Sequence, residues 1–347
     1  MSARRRPLGR GVAMVLRAGV GVVIMGIALL IAAQHLSGSI SAWLEFSRYL
    51  PYVALLLPAL AALVASFWLG WVWRVASVGN LALLVTLGMG LQWNRGEAGA
   101  EQVRVMTWNV KVANATRERD RVQSLAVEVL RYDPDIVVMQ DATGLLGTRN
   151  DPALPFGPVF GLPHVHAVGQ YVIASRFSLR DCSAPTIGLR GDNLQYLRCK
   201  VDVRGSPLDL VNVHFQSPRE GLNAARREGL EGADDWIGNY VRRLAQSRSL
   251  AQDLARSRGP LIVAGDLNAI ESSPVIQMLL GIGLRNAFSS AGRGYGYTHG
   301  RSLRPGHDFL RIDHILVSPQ FGVADSFVGQ SNATDHRPVI ANLVLRR

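Results

Sequence analysis

PLIVAGDLN, residues 260–268, runs an apolar segment straight into Gly265, Asp266, Leu267 and Asn268. Residues 261–264 read as a short buried strand. An acid and an amide just after a strand are, taken alone, a turn and a helix cap. What gives this stretch weight is that the same pattern recurs along the chain. TWNV (107–110) ends an apolar run, and Gln140 and Asp141 follow another. His214 closes LVNVHF (210–215). RIDH (311–314) leads into an apolar run, and DHRP (335–338) leads into the last one. Six such junctions carry acids, amides and histidines at strand ends, as expected if the strands converge on one site.

Working outward, short apolar runs recur at 103–110, 136–139, 171–174, 197–203, 208–214, 261–264, 314–317 and 339–344. Helical spacing appears over 117–131, with Val122, Leu125, Val127 and Leu130 on one side. It appears again over 239–256, with Val241, Leu244, Leu250 and Leu254. Strands dominate and helices intervene irregularly. That predicts an α+β fold of packed sheets over 103–347, not a strict βαβ alternation.

The N-terminal part has a different character. Of the net charge of +11, +6 belongs to residues 1–93, where seven arginines meet one acid, Glu45. The remainder is only mildly basic. That suits an anionic substrate without being a nucleic-acid footprint, which needs clustered charge. Residues 18–33 are uncharged and apolar, and 12–16 extend them past Arg17. Residues 49–93 are interrupted by one charge, Arg74. As one helix this second run would be roughly 67 Å long, against a hydrocarbon core of ~30 Å. Three spans are therefore expected, at about 12–33, 51–71 and 75–93, with a turn near Arg74. A cytoplasmic arginine-rich start (1–11) precedes them and a polar linker (94–102) follows. Three crossings put the rest of the chain outside the cytoplasm. A cleaved signal peptide over 1–33 is the competing interpretation of the first segment, and its removal leaves that side unchanged.

The order TWNV, Gln140-Asp141, Ser175-Arg176, NVH, GDLN, IDHI, DHRP resembles the endonuclease/exonuclease/phosphatase (DNase-I-like) superfamily, in its bacterial form with an N-terminal multi-span anchor. The resemblance covers about 103–345, and GDLN and DHRP are its most specific pieces. It implies a four-layer α/β/β/α sandwich and Mg²⁺- or Mn²⁺-dependent phosphoester hydrolysis. It implies Asn109, Asp141 and Asp335 as metal ligands. His336 would be the general base, oriented by Asp313. Asp266 and Asn268 would position the attacking water and the phosphate, and His214 would contact the phosphate and the leaving group. The substrate would be a lipid headgroup, a nucleic acid or a small phosphoester at the bacterial inner membrane, and no protein partner is implied.

One departure stands out. The family usually has Gln-Glu where this chain has Gln140-Asp141. The shorter carboxylate lies about one C–C bond, ~1.5 Å, further back, while Mg²⁺–oxygen bonds of ~2.0–2.1 Å tolerate little slack. A non-catalytic binding or assembly protein on a degenerate domain is the alternative this substitution leaves open. Arg176 is open between a substrate contact and a structural bond. So are Arg219, Arg226 and Arg227, in the polar stretch 216–237 read as a loop or lid, between phosphate contacts and solvated charges. A second candidate rim spans 291–310, with Tyr295, Tyr297 and His299. Cys182 and Cys199 fall on segments expected to pair, and an exported domain permits a disulfide between them.

Overall fold

The computed structural model describes residues 9–36, 41–99, 101–112, 118–145, 160–189, 191, 194–229, 231–301, 307–331 and 333–346; of 118–121 and 226 it describes the backbone alone. Arg4, Arg5, Arg6 and the side chain of Arg226 thus lie outside the described residues. The chain divides into two compact units, Met1–Leu91 and Gln92–Arg347.

The first unit is helical: α1 (Arg10–Leu36), α2 (Ala42–Ser47), α3 (Leu56–Ser66, led in by a 3₁₀ turn at Tyr52–Leu55) and α4 (Trp71–Leu83, continued by a π-type turn at Leu84–Gly88). Neighbours along α1 set the directions. Val12 and Leu16 share an apolar groove with Val64 and Trp68, while Gln34 donates to the Tyr52 hydroxyl at 2.5 Å. So α3 runs antiparallel to α1. Gly21 lies against Trp73, and Gly88 against Ile31 and Tyr52, so α4 runs parallel to α1.

Two of these helices, Arg10–Leu36 and Trp71–Gly88, are long and apolar enough to cross a membrane; Tyr52–Ser66 is apolar but shorter. At 1.5 Å per residue that third helix spans roughly 22 Å, short of the ~30 Å core. The break in the second apolar run also differs from expectation. It falls at Gly70, whose φ of 115° favours a residue without Cβ, whereas Arg74 lies inside α4. A single exposed charge does not interrupt a helix; a positive φ does.

The corner between α1 and α3 is polar yet buried. Arg48 Nη2 donates to the Gln34 carbonyl (2.7 Å) and Nη1 to Glu45 (3.4 Å), and the Tyr49 hydroxyl donates to Glu45 (3.1 Å). Glu45 is fully buried. Removing one partner of a buried pair leaves an uncompensated charge. Glu45→Ala should therefore destabilise this unit by about 3–5 kcal/mol, read as a fall in its thermal transition in detergent.

The second unit holds β1 (Gln92–Trp93), β2 (Gln102–Asn109), α5 (Glu118–Tyr132), β3 (Ile136–Gln140), β4 (His164–Val168), β5 (Tyr171–Ser175), β6 (Leu179–Ser183), β7 (Leu197–Val203) and β8 (Ser206–His214). It continues with α6 (Arg219–Glu228), α7 (Ala233–Leu254), β9 (Leu261–Asp266), α8 (Pro274–Leu280), β10 (Arg285–Asn286) and α9 (Ala287–Ala291). It ends with β11 (Arg293–Gly294), β12 (Asp313–Val317), β13 (Phe321–Val328) and β14 (Val339–Leu345). Among the described residues two six-stranded sheets form, in the orders β13-β14-β2-β3-β5-β4 and β10-β12-β9-β8-β7-β6. Each has one parallel pair near its centre, β2/β3 and β8/β9, among antiparallel neighbours.

Alternation along the strands assigns the faces. Val103 and Val105 of β2 join Leu208, Leu210 and Ile262 of the other sheet in the core between the sheets. Met106 and Trp108 point the other way and pack with Leu125 and Val129 of α5. With α7 and α8 on the second sheet, this is the expected four-layer sandwich. The buried face of α5 is Val122, Leu125, Ala126 and Val129, while Val127 and Leu130 are half exposed. That helix is rotated from the face its sequence suggested. The stretch 94–102, expected as a linker, is fastened to this unit: Asn94 N–H donates to Gly292 O (3.2 Å) and Glu97 N–H to Val323 O (2.8 Å).

Cys182 of β6 and Cys199 of β7 form a disulfide with a sequence separation of 17. Closing a loop of that size restricts the unfolded chain by about 3 kcal/mol. Cys182→Ser should lower stability by roughly that amount in a denaturant titration, and reductant should have the same effect on the native chain.

Candidate active site

Strand register brings the polar strand ends together. Asn109 pairs with Gln140 across the parallel strands of the first sheet, and His214 with Asp266 across those of the second. Asp313 lies opposite Asp266 on β12. The close approach of β8 and β9 explains Gly265: a Cβ there would sit 1.8 Å from the Val213 carbonyl oxygen. Beneath the site the two sheets are tied by polar side chains. Gln140 donates to Asn212 (2.7 Å) and to Thr107 (3.2 Å), all three fully buried.

Asp266 is the hub. Asn109 Nδ2 donates to its Oδ2 from the opposite sheet at 3.0 Å, and the Asn268 N–H donates to its Oδ1 at 3.0 Å. His214 Nε2 lies 3.6 Å and His336 Nε2 3.7 Å from the same Oδ2. His336 turns its Nδ1 to Asp313, 3.0 and 3.2 Å from the two oxygens. A proton shared with a carboxylate on that side leaves the lone pair of Nε2 facing Asp266. His214 Nδ1 lies 2.7 Å from Gln170 Oε1 and 3.5 Å from Asp141. Asn268 Nδ2 donates to the Phe215 carbonyl at 2.9 Å.

The loops that carry these groups are strained. Lys111, Asp141 and Asn268 adopt φ of 44°, 51° and 49°, the left-handed region that costs a side-chain-bearing residue of order 1 kcal/mol. One such residue follows each of β2, β3 and β9, and three together mark a place where geometry is held against local preference.

Burial dominates the titration of the groups around the hub. Burial pushes the Asp266 carboxyl up, and the neighbouring Asp313 adds to it. Burial raises Asp313 to about 7 and pushes His336 down. His299, with its ring centroid 4.3 Å from that of His336, falls to about 4 through burial and the His336 charge. Burial alone would raise Asp335, but Lys111, 3.0 Å away, and His336 outweigh it and hold that carboxyl near 2. Two buried carboxyls short of counter-charge are a donor set that a hard cation relieves. Asp266, Asp313 and His336 could hold a metal ion, as could His299, Asp335 and His336.

The eight site residues expected from the sequence divide as follows. Asn109, His214, Asn268, Asp313 and His336 gather around Asp266. Asp141 joins through His214. Asp335, expected as a ligand with Asn109 and Asp141, is paired to Lys111, lies 3.6 Å from Arg219, and belongs with His299 and His336 to a group that could hold a metal. Arg176 bonds Asp133 and Asp135 (3.2 Å) at the start of β3, the far end of the sheet from Asp141, so it is structural. The stretch 216–237 is mostly helix, as α6 and the start of α7. Sequence reasoning missed Lys111 and Gln170 and left His299 as a rim residue. Lys111 stands two places after Asn109, and Gln170 directly before a strand, but neither residue type announces a site.

Residues 106–336 match the model of the Endonuclease/Exonuclease/phosphatase family. Among solved structures, the chain is similar to an endonuclease/exonuclease/phosphatase family protein from Bacteroides thetaiotaomicron (16% identity, TM-score 0.53, covering 72% of this chain and 100% of that one). It is also similar to an endonuclease/exonuclease/phosphatase from Beutenbergia cavernae (19%, TM-score 0.52, 71% and 72%). A humanized D. rerio TDP2 bearing 14 mutations is comparable (17%, TM-score 0.52, 71% and 100%). At these identities the likeness concerns the fold alone. No curated protein matches the chain in sequence. The ordered motifs, the paired sheets and the match over most of the second unit agree: the chain belongs to the Endonuclease/Exonuclease/phosphatase family.

Proposed function

We propose that this protein is a membrane-anchored, divalent-cation-dependent phosphoester hydrolase whose catalytic unit lies outside the cytoplasm. The observation that carries the catalytic half is the convergence of Asn109, Asn268, His214 and His336 on the buried Asp266 carboxylate. His336 acts as general base through Nε2, with Asp313 holding the opposite nitrogen. Asp266 Oδ2 and His336 Nε2 are 3.7 Å apart, a gap one water spans with two hydrogen bonds of ~2.8 Å. Asp266 and Asn268 place that water, and His336 takes its proton as it attacks phosphorus. His214, held by Gln170, faces the same space and serves the phosphate and the leaving oxygen.

Asn109, Asp141 and Asp335 would be the oxygen donors for Mg²⁺ or Mn²⁺, which when bound would neutralise charge on the phosphoryl oxygens. The substrate is a lipid headgroup, a nucleic acid or a small phosphoester. EDTA should abolish hydrolysis of bis(p-nitrophenyl) phosphate by the full-length protein in detergent, and Mg²⁺ or Mn²⁺ should restore it. Undiminished turnover in EDTA would contradict the metal requirement.

Three features support the membrane half. They are the apolar helices Arg10–Leu36 and Trp71–Gly88, the arginines that precede and open the first of them, and the disulfide, a bond kept in oxidising compartments. In this reading α1, α3 and α4 cross in turn, α3 as a short helix, and the second unit lies on the side opposite the arginine-rich start. A periplasm-only reporter fused after Arg346 should be active; activity from a cytoplasm-only reporter there would refute this topology.

A further inference from the structure

α7 carries polar residues on its buried face. Asn239, Arg243 and Gln246, at helical spacing i, i+4 and i+7, are all at most 1% exposed. Arg243 is among the largest fully buried side chains of the protein. Its Nη1 donates to the main-chain oxygen of Asn268 at 3.2 Å, and its Nε to Asn239 Oδ1 at 3.1 Å. The rings of Trp236 and Tyr240 lie 5.5 and 5.6 Å from its guanidinium carbon. These are cation–π distances that fix the plane of the fork. Asn239 in turn donates to the Ser217 carbonyl (2.8 Å), and Gln246 accepts from the Gln216 N–H (2.9 Å).

We propose that Arg243 is a positioning residue for the candidate active site, locking the Asp266–Asn268 turn from behind and tying it, through Asn239, to the loop that follows His214. An apolar residue would fill this place on a helix that only had to pack. A guanidinium taken out of water is a costly choice, and what it supplies is a directed donor. The oxygen it holds belongs to Asn268, whose φ of 49° local preference opposes. The side chain of that residue reaches Phe215 and its N–H reaches Asp266. Release of the carbonyl lets the turn relax toward ordinary geometry and carries the Asp266 carboxylate out of register with His336. Displacements on the order of 1 Å cost about 10²-fold in rate.

The kinetic arm of the test rests on the catalytic reading above; the exchange arm does not. In the full-length protein in detergent, Arg243→Met should lower kcat toward bis(p-nitrophenyl) phosphate by about 10²-fold with KM nearly unchanged. Arg243→Lys, which keeps the charge and loses the fork, should recover only part of it. Arg243→Met added to Asn268→Ala should cost little beyond Asn268→Ala alone, because both act through one turn. Multiplicative losses, or a lowered melting temperature with kcat intact in the folded fraction, would overturn the proposal. If the wild type turns over no phosphoester, amide hydrogen exchange decides. Arg243→Met should speed exchange at Leu267 and Asn268 while the α7 amides stay protected, and unchanged or uniformly faster exchange would refute the positioning role.

Discussion

His336→Ala lowers kcat by about 10²–10⁴-fold, the range a positioned general base contributes, and leaves KM close to the wild-type value. The side chain is nearly fully buried, so little substrate contact is lost with it. The pH profile carries the same signature. The neutral ring is the base, so the rate falls as pH drops through its pKa. Burial lowers that pKa, and Lys111 adds to the effect against the opposing pull of Asp266. The acid limb of kcat should therefore lie below the ordinary histidine value of ~6.5. A rate profile from pH 4 to 8 checks it. A limb centred above 6.5 would assign the base elsewhere.

Asp313→Asn should lower kcat by as much as about 10⁴-fold, as loss of an orienting carboxylate does in hydrolase triads. An amide presents an N–H to His336 Nδ1 and drives the ring proton onto Nε2, where the base needs its lone pair. The same variant should be more stable than the wild type in metal-free buffer at pH 8. Burial raises Asp313 from 3.8 to about 7, so the native state holds more protons than the unfolded chain between those values. Stability then falls as pH rises through that window, and the cost is complete above it. Asp313→Asn removes the cost. Melting temperatures in EDTA should differ at pH 8 and converge near pH 4.

These residues were legible in the sequence because each ends or begins an apolar strand. Asp266 ends β9 with Asn268 just beyond it, Asp313 and His314 open β12, and DHRP precedes β14, so the strands that position the side chains also mark them. The same rule exposed the sandwich itself. What it could not expose were the strands with weak alternation. β4 (HVHAV) and β6 (LRDCS) lie at sheet edges, and neither has a fully buried residue, so their sequences carry little apolar pattern. β13 is interrupted by a bulge between Val323 and Asp325, which breaks its period.

The helices misled for a related reason. On α7 the apolar spacing drew attention to Val241, which is half exposed, while the buried face includes Asn239, Arg243 and Gln246. Hydrophobic periodicity cannot see a polar residue that is buried because it has a task. Gln170 and Lys111 are hidden in the same way. A glutamine before a strand and a lysine after one acquire meaning only when His214 and Asp335 are found beside them. In the first unit, the helix break at Gly70 went unread because Arg74 was the more conspicuous residue.

At the centre stands Asp266, where both sheets deliver their polar ends. The most direct measurement is the turnover of bis(p-nitrophenyl) phosphate by full-length wild type and Asp266→Ala at saturating Mn²⁺, with folding of both confirmed by their melting curves. Metal-dependent hydrolysis in the wild type, reduced at least about 10²-fold in Asp266→Ala, is the predicted result. Equal rates in the two folded proteins would contradict the assignment of this cluster as the catalytic centre.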